Sequence, residues 1–164
     1  MSGPEVEPAS REDLETLAEW WVALAAEQRE HGSHVLAAPN RETIHEVLAG
    51  HRFHGGVLVA RLDGELAGFA TFAVEDGSFA LDASRGVLSN LYVRPERRRR
   101  GVGTALLEAV ETRLAERGVD VLRLEAMAEN EAARRFYRAN GYEPHRVTME
   151  RPLTGSQAVT GERR

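Results

Sequence analysis

The stretch that most constrains this chain lies between Leu88 and Leu107. An apolar run from Val87 to Val93 stops at Pro95 and a cluster of charge, Gly101-Val102-Gly103 makes a turn, and a helical pattern begins. Val102, Ala105, Leu106, Ala109, Val110 and Leu114 recur on one face of that helix, and Gly118 ends it. A further apolar run, Val119 to Met127, then predicts another strand. A strand, a glycine turn, a helix and a strand make a unit that must pack its helix against a sheet.

The flanking sequence supplies the rest of that sheet. After a short extended segment at Glu5 to Pro8, Ser10 and Asp13 start a helix with Leu14, Leu17, Ala18, Trp21, Leu24 and Ala25 on one face. Asn40 caps a second helix that buries Ile44, Val47 and Leu48 and stops at Gly50. Val57 to Leu62 and Leu66 to Val74 flank Asp63-Gly64, a hairpin signature. Glu75 to Arg85 reads as a polar loop, Glu129 or Asn130 begins a last helix stopped by Gly141, and Arg146 to Leu153 is expected to add a terminal strand. The fold class is α+β. Residues 1–153 are expected to form a single domain and residues 154–164 a disordered tail.

Composition removes several chemistries. The 164 residues include no cysteine and no lysine, so thiol nucleophiles, thiolate metal sites, Walker-type phosphate loops and lysine Schiff bases are excluded. No apolar run approaches the ~20 residues of a membrane helix. The opening MSGPEVEPAS has neither a basic nor an apolar signal region, so a cytoplasmic protein is expected.

The turn itself suggests an anion. Glycine at 101 and 103 lets the backbone approach a ligand closely, the amides at the helix start converge on one point, and Arg97 to Arg100 add donors and charge. Many such turns bind nothing. Leu106 stands where a dinucleotide fingerprint needs a small residue, which excludes that fold. With a net charge of −5, the arginine run is better read as part of this loop than as a nucleic-acid patch.

Arg98-x-x-Gly101-x-Gly103, preceded by Leu91-Tyr92-Val93-Arg94-Pro95 and followed by Asn130, Ala133, Phe136-Tyr137 and Gly141-Tyr142, resembles the Gcn5-related N-acetyltransferases (GNAT). The resemblance covers the element order of nearly the whole chain and is densest from Leu88 to Leu153. It implies a mixed, mostly antiparallel sheet with flanking helices, whose central parallel strands splay apart around acetyl-coenzyme A (acetyl-CoA). The pantetheine arm would pair with the backbone of Leu91, Tyr92 and Val93, and Asn130 would hydrogen-bond its amides. The pyrophosphate would rest on Arg98, Arg99, Arg100, Gly101, Val102, Gly103 and Thr104. The implied activity is transfer of acetyl to a primary amine, on a protein N-terminus, a lysine or a small molecule. The alternative is a non-catalytic acyl-CoA binding or sensing module.

For catalysis, Tyr137 matches the family's general acid, which would protonate the leaving thiolate, and the amide of Val93 would steady the oxyanion. The other reading of Tyr137 is core packing, as for Phe136. A carboxylate found in many relatives is missing from Leu88-Ser89-Asn90-Leu91. Glu125 is the substitute base, by similarity to ribosomal-protein N-terminal acetyltransferases; amid Leu122, Leu124 and Met127 its pKa would rise. Otherwise it is an exposed carboxylate paired with Arg123 or Arg134.

His31-x-x-His34 and His51-x-x-His54 lack a third ligand, so no metal is expected, although His34 or His54 could touch the acceptor. Trp20 points away from the core stripe, toward the acceptor cleft or a partner. Few residues separate Tyr142 from Met149, which leaves the cleft open or completed by a second chain, as in a homodimer.

Overall fold

The structure, a computed structural model, describes residues 3–154. Its elements are β1 (Glu5–Pro8), α1 (Leu14–Arg29), α2 (Arg41–Phe53), β2 (Val57–Leu62), β3 (Glu65–Val74), β4 (Arg85–Val93), α3 (Val102–Glu116), β5 (Val121–Leu124) and α4 (Glu131–Ala139). The strands form one sheet in chain order, β1-β2-β3-β4-β5. All neighbours are antiparallel except β4 and β5, joined in parallel by the α3 crossover. The α+β class and the mixed sheet with flanking helices are those expected.

Each face of the sheet buries its own core. Leu58, Ala60, Ala70, Phe72 and Leu88 point to one face and meet Val102, Leu106, Leu107, Val110 and Leu114 of α3. Val57, Val59, Phe69 and Tyr92 point to the other and meet Leu14, Leu17 and Ala18 of α1 and Ile44 and Leu48 of α2. The alternation follows from the two-residue period of strands against the 3.6-residue period of helices.

Local signals hold where their chemistry is local. Asp63 (φ 57°) and Gly64 (φ 83°) both adopt the left-handed conformation of a tight hairpin turn. The Ser10 amide donates to Asp13 Oδ2 at 2.9 Å, and Asp13, nearly buried, also meets Arg61 at 3.3 Å.

Other expectations need correction. Gly50 does not end α2, which runs on to Phe53 and is closed by Gly55 in the left-handed region (φ 76°). Val47 is exposed, because Ile44 and Leu48 already fill the stripe that faces the sheet. Trp20 packs its ring on Tyr92 (centroids 5.8 Å apart), under the Arg94 guanidinium, and so supports the back of β4. β5 is shorter than Val119–Met127, and residues 146–153 form no strand. The disorder expected for the tail falls, beyond Thr154, outside the described residues.

Candidate active site

The parallel pairing of β4 with β5 begins at Arg85 and Val121 and ends at Leu88 and Leu124. Just past that point β4 bulges: Phe72 of β3 faces Leu88, but the preceding Thr71 faces Asn90, leaving Ser89 as the extra residue. A bulge bends its strand and increases the local twist. β4 stays on β3 as far as Val93, while its other edge parts from β5.

The direction of the freed backbone groups follows from one bond. The Arg94 amide donates to the Ala67 carbonyl of β3 at 2.9 Å. Because backbone groups alternate sides along a strand, Tyr92 also turns its amide to β3, and Leu91 and Val93 turn theirs into the opening. The Val93 carbonyl faces the same way and accepts from Arg98 Nε–H at 2.7 Å. Leu91 and Val93 therefore border the cleft by their backbones. Tyr92 does not: its amide serves the sheet and its ring is buried beside Phe69 and Trp20.

Below the opening lies the arginine-glycine loop. Arg99 (φ 64°) and Gly101 (φ 81°) are left-handed, so the chain coils tightly into α3. The first helical bond runs from the Ala105 amide to the Gly101 carbonyl at 3.0 Å. The amides of Val102, Gly103 and Thr104 thus precede the helical ladder, at its positive end. No acidic residue occupies the first turn of α3.

The arginines divide into two kinds. Arg97 pairs with Glu65 at 2.8 Å. Arg98 pairs with Glu27 of α1 at 3.2 Å and lies over the Tyr92 ring, so it anchors the loop to the body of the protein. Arg99 and Arg100 make no ion pair among the described residues and stand exposed on the loop.

Helix α4 closes the side. Asn130 caps it, its Oδ1 accepting from the Ala133 amide at 3.0 Å, which leaves the side-chain NH₂ as a donor. Phe136 packs toward the α3 start, where a Cβ on Gly103 would come 3.4 Å from its ring and 3.8 Å from Val93. Glycine at 103 thus lets α4, α3 and β4 meet at one corner. The next residue, Tyr137, packs edge-on against Phe136 and Tyr142. Burial pushes its phenol up to about 12, so it holds its proton more tightly than a free tyrosine does. Tyr142 donates to Glu111 of α3 at 2.6 Å, and burial, reinforced by that bond, raises its pKa as well.

Glu125 lacks the apolar surround expected of it. It follows the last residue of β5, its side chain is 88% exposed, and Arg123 approaches it only at 4.0 Å. Arg123 instead forms two hydrogen bonds to Glu75, at 3.0 and 2.8 Å. Among the histidines, His34 Nε2 lies 2.9 Å from Glu150, and the His54 ring packs edge-on against Phe53.

Three contacts at this site have no local sequence signal: Glu27 with Arg98, Glu111 with Tyr142, and the 2.8 Å bond from Asn90 Nδ2 to Thr71 Oγ1 beside the bulge. Each joins residues far apart in the chain.

Known proteins share the family signature and the fold. Residues 14–142 match the model of the acetyltransferase (GNAT) family. An uncharacterized N-acetyltransferase of Bacillus subtilis, YhfO, is 32% identical over 87 residues, 53% of this chain and 58% of that protein. The chain thus spans little more than half the length of this curated relative. The crystal structure of a GCN5-related N-acetyltransferase from Ralstonia eutropha superposes with a TM-score of 0.71 at 29% identity, covering 93% of this chain and 100% of that one. The fold is also that of AAC(6')-Iy, solved with a bisubstrate analogue of CoA and acetylneamine (TM-score 0.67, 19% identity, 93% and 100% covered). From its splayed parallel strands to the glycine loop beneath them, this chain belongs to the GNAT acetyltransferase family.

Proposed function

We propose that this protein moves the acetyl group of acetyl-CoA directly to a primary amine, of a protein N-terminus, a lysine or a small molecule. The observation that carries this reading is the parting of β4 from β5 beyond Leu88 and Leu124, with the amides of Leu91 and Val93 turned into the gap. An extended pantetheine arm would find there the ladder partners that β5 does not supply. The amides before Ala105, with Arg99 and Arg100, would hold the pyrophosphate below. The Asn130 side-chain NH₂ would donate to the arm from α4.

In the reaction the amine attacks the thioester carbonyl, the Val93 amide receives the developing oxyanion, and the thiolate leaves. A thiolate of pKa roughly 8.5 readily takes a proton in an apolar site, and Tyr137 would supply it. Glu125, exposed at the mouth, would take the amine's proton directly or through water. The acidic balance of −5 favours cationic amines. The bisubstrate analogue held by AAC(6')-Iy supports a small cationic amine as one acceptor class. The cytoplasmic setting, and residues 1–153 acting as one domain, belong to the same proposal.

Thermal unfolding with acetyl-CoA tests the first half. A ligand at about 100 times its Kd adds ~2.7 kcal/mol, worth roughly 5–10 °C at this size. No shift at saturating ligand would overturn the reading. Thiol release with a mixed panel of amines tests the second half: binding without turnover would leave an acyl-CoA sensor, which the exposure of Glu125 favours. For the base, kcat/KM of Glu125→Gln is expected to lose its acidic limb. An unchanged pH profile would remove Glu125 from the chemistry.

A further inference from the structure

Two polar side chains sit where β4 leaves β5, and none of the steps above uses them. Asn90 follows the bulge residue Ser89 and pairs in register with Thr71 of β3. Thr71 is 1% exposed, and it and Asp13 are the buried polar residues among those described. Asp13 serves a helix start and Arg61. Thr71 meets one side chain, Asn90, whose Nδ2 donates to its Oγ1 at 2.8 Å. A buried hydroxyl costs free energy unless it is bonded, so the pair is held together from the Thr71 side as firmly as from the other.

The direction of the pair follows from strand alternation. Thr71 lies on the side of Phe69 and Asn90 on the side of Tyr92, both of which pack into the core under α1 and α2. Asn90 is only partly buried. With Nδ2 committed to Thr71, its Oδ1 meets no donor among the described residues and is open to solvent. The strand therefore presents a fixed hydrogen-bond acceptor one residue before Leu91, whose amide turns into the cleft.

We propose that Asn90 Oδ1 accepts an N–H of the attacking amine and so aims the amine's lone pair at the thioester carbonyl, with Thr71 as the positioning residue that holds Asn90. The inference rests on the amine-transfer reading above. The amine nitrogen gains positive charge as it bonds to the carbonyl carbon, so its N–H bond to a fixed amide oxygen strengthens in the transition state. No bond to Asn90 forms or breaks. The amide oxygen is no base, and the proton leaves by the amine's other N–H.

The spacing along β4 suits this role. Asn90 and Val93 are three residues apart on an extended strand, which puts about 10 Å between their Cα atoms. A carbonyl held at the Val93 amide and an amine held at Asn90 are linked by two hydrogen bonds of about 2.9 Å, a C=O of about 1.2 Å and an attack distance of about 3–3.5 Å, a chain of similar length.

The test is steady-state thiol release by the full chain with butylamine, spermidine and a short lysine peptide with a free N-terminus, the fastest of these in wild type being carried through the variants. Asn90→Ala is expected to lower kcat by about 10–100-fold, the range for losing a hydrogen bond to a charged group, with the KM for acetyl-CoA and its thermal shift unchanged. Asn90→Asp keeps Oδ1, gives up the NH₂ and can accept from the Thr71 hydroxyl, so it should recover most of what Ala loses. Thr71→Val should lower kcat by about 2–10-fold, and Thr71→Ser should recover most of that. Wild-type kcat in Asn90→Ala overturns the proposal. Equal losses in Asn90→Asp and Asn90→Ala overturn it too, because the NH₂ and its packing would then be what matters. Acetyl-CoA binding by wild type without turnover of any of the amines overturns the amine-transfer reading itself, and is told apart by the wild type alone.

Discussion

Replacing Tyr137 with Phe is expected to lower turnover by about 10²–10⁴-fold, the range for loss of a positioned general acid, and to leave the acetyl-CoA thermal shift intact. The ring keeps its packing against Phe136 and Tyr142, so only the hydroxyl is removed. A variant with wild-type turnover returns Tyr137 to a packing role. The same hydroxyl leaves a mark on stability. With a native pKa near 12 against about 10 in the unfolded chain, the native state holds this proton more tightly. The stability it contributes is therefore complete below about pH 10 and is lost as pH rises through about 12. Urea unfolding of wild type should weaken over that window, and of Tyr137→Phe less so, Tyr142 retaining a share because its pKa is raised too.

The second large effect is expected at Gly68. A Cβ there would lie 2.5 Å from the Tyr92 carbonyl, 3.2 Å from Leu106 and 3.3 Å from Val102. The first of these is backbone and cannot swing aside. Gly68→Val should therefore cost ~1–3 kcal/mol or more, about 2–12 °C in Tm. Because Gly68 pairs with Val93, the displacement falls on the part of β4 that borders the cleft, and the acetyl-CoA shift should shrink with it. Gly50, inside α2 with nothing within 4 Å of its missing Cβ, is the control. Gly50→Ala should stabilise by about 0.4–1 kcal/mol. Equal responses at the two positions would show that the close approach at Gly68 has no consequence.

Much of the fold was legible because its signals are short-range. The Asp63-Gly64 turn, the Gly101 start of α3 and the Asn130 cap of α4 each need only a few consecutive residues of the right conformational preference. Of the candidate site, the glycine loop was legible in the same way, whereas Tyr137 was singled out only by the resemblance carried by Asn130, Ala133 and Phe136-Tyr137.

The misreadings share a different cause. Val119–Met127 reads as one strand, but β5 ends at Leu124 because its partner β4 bulges at Ser89, and nothing near Glu125 reports an irregularity in another strand. Glu125 accordingly sits outside the apolar setting that its neighbours Leu122 and Leu124 suggested. Residues 146–153 have the alternation of a strand but find no edge in their own chain.

Sequence by itself determined the element types, the α+β class, the glycine loop at the start of α3, and the absence of cysteine and lysine chemistry, since each is a property of composition or of neighbouring residues. Tertiary structure alone decided where β4 leaves β5, which backbone amides face the gap, that Arg98 is tied to Glu27 while Arg99 and Arg100 stand exposed, and that Tyr137 is buried, with its pKa raised by that burial. Those outcomes depend on pairings between residues tens of positions apart, whose cost and benefit exist only once the sheet has closed.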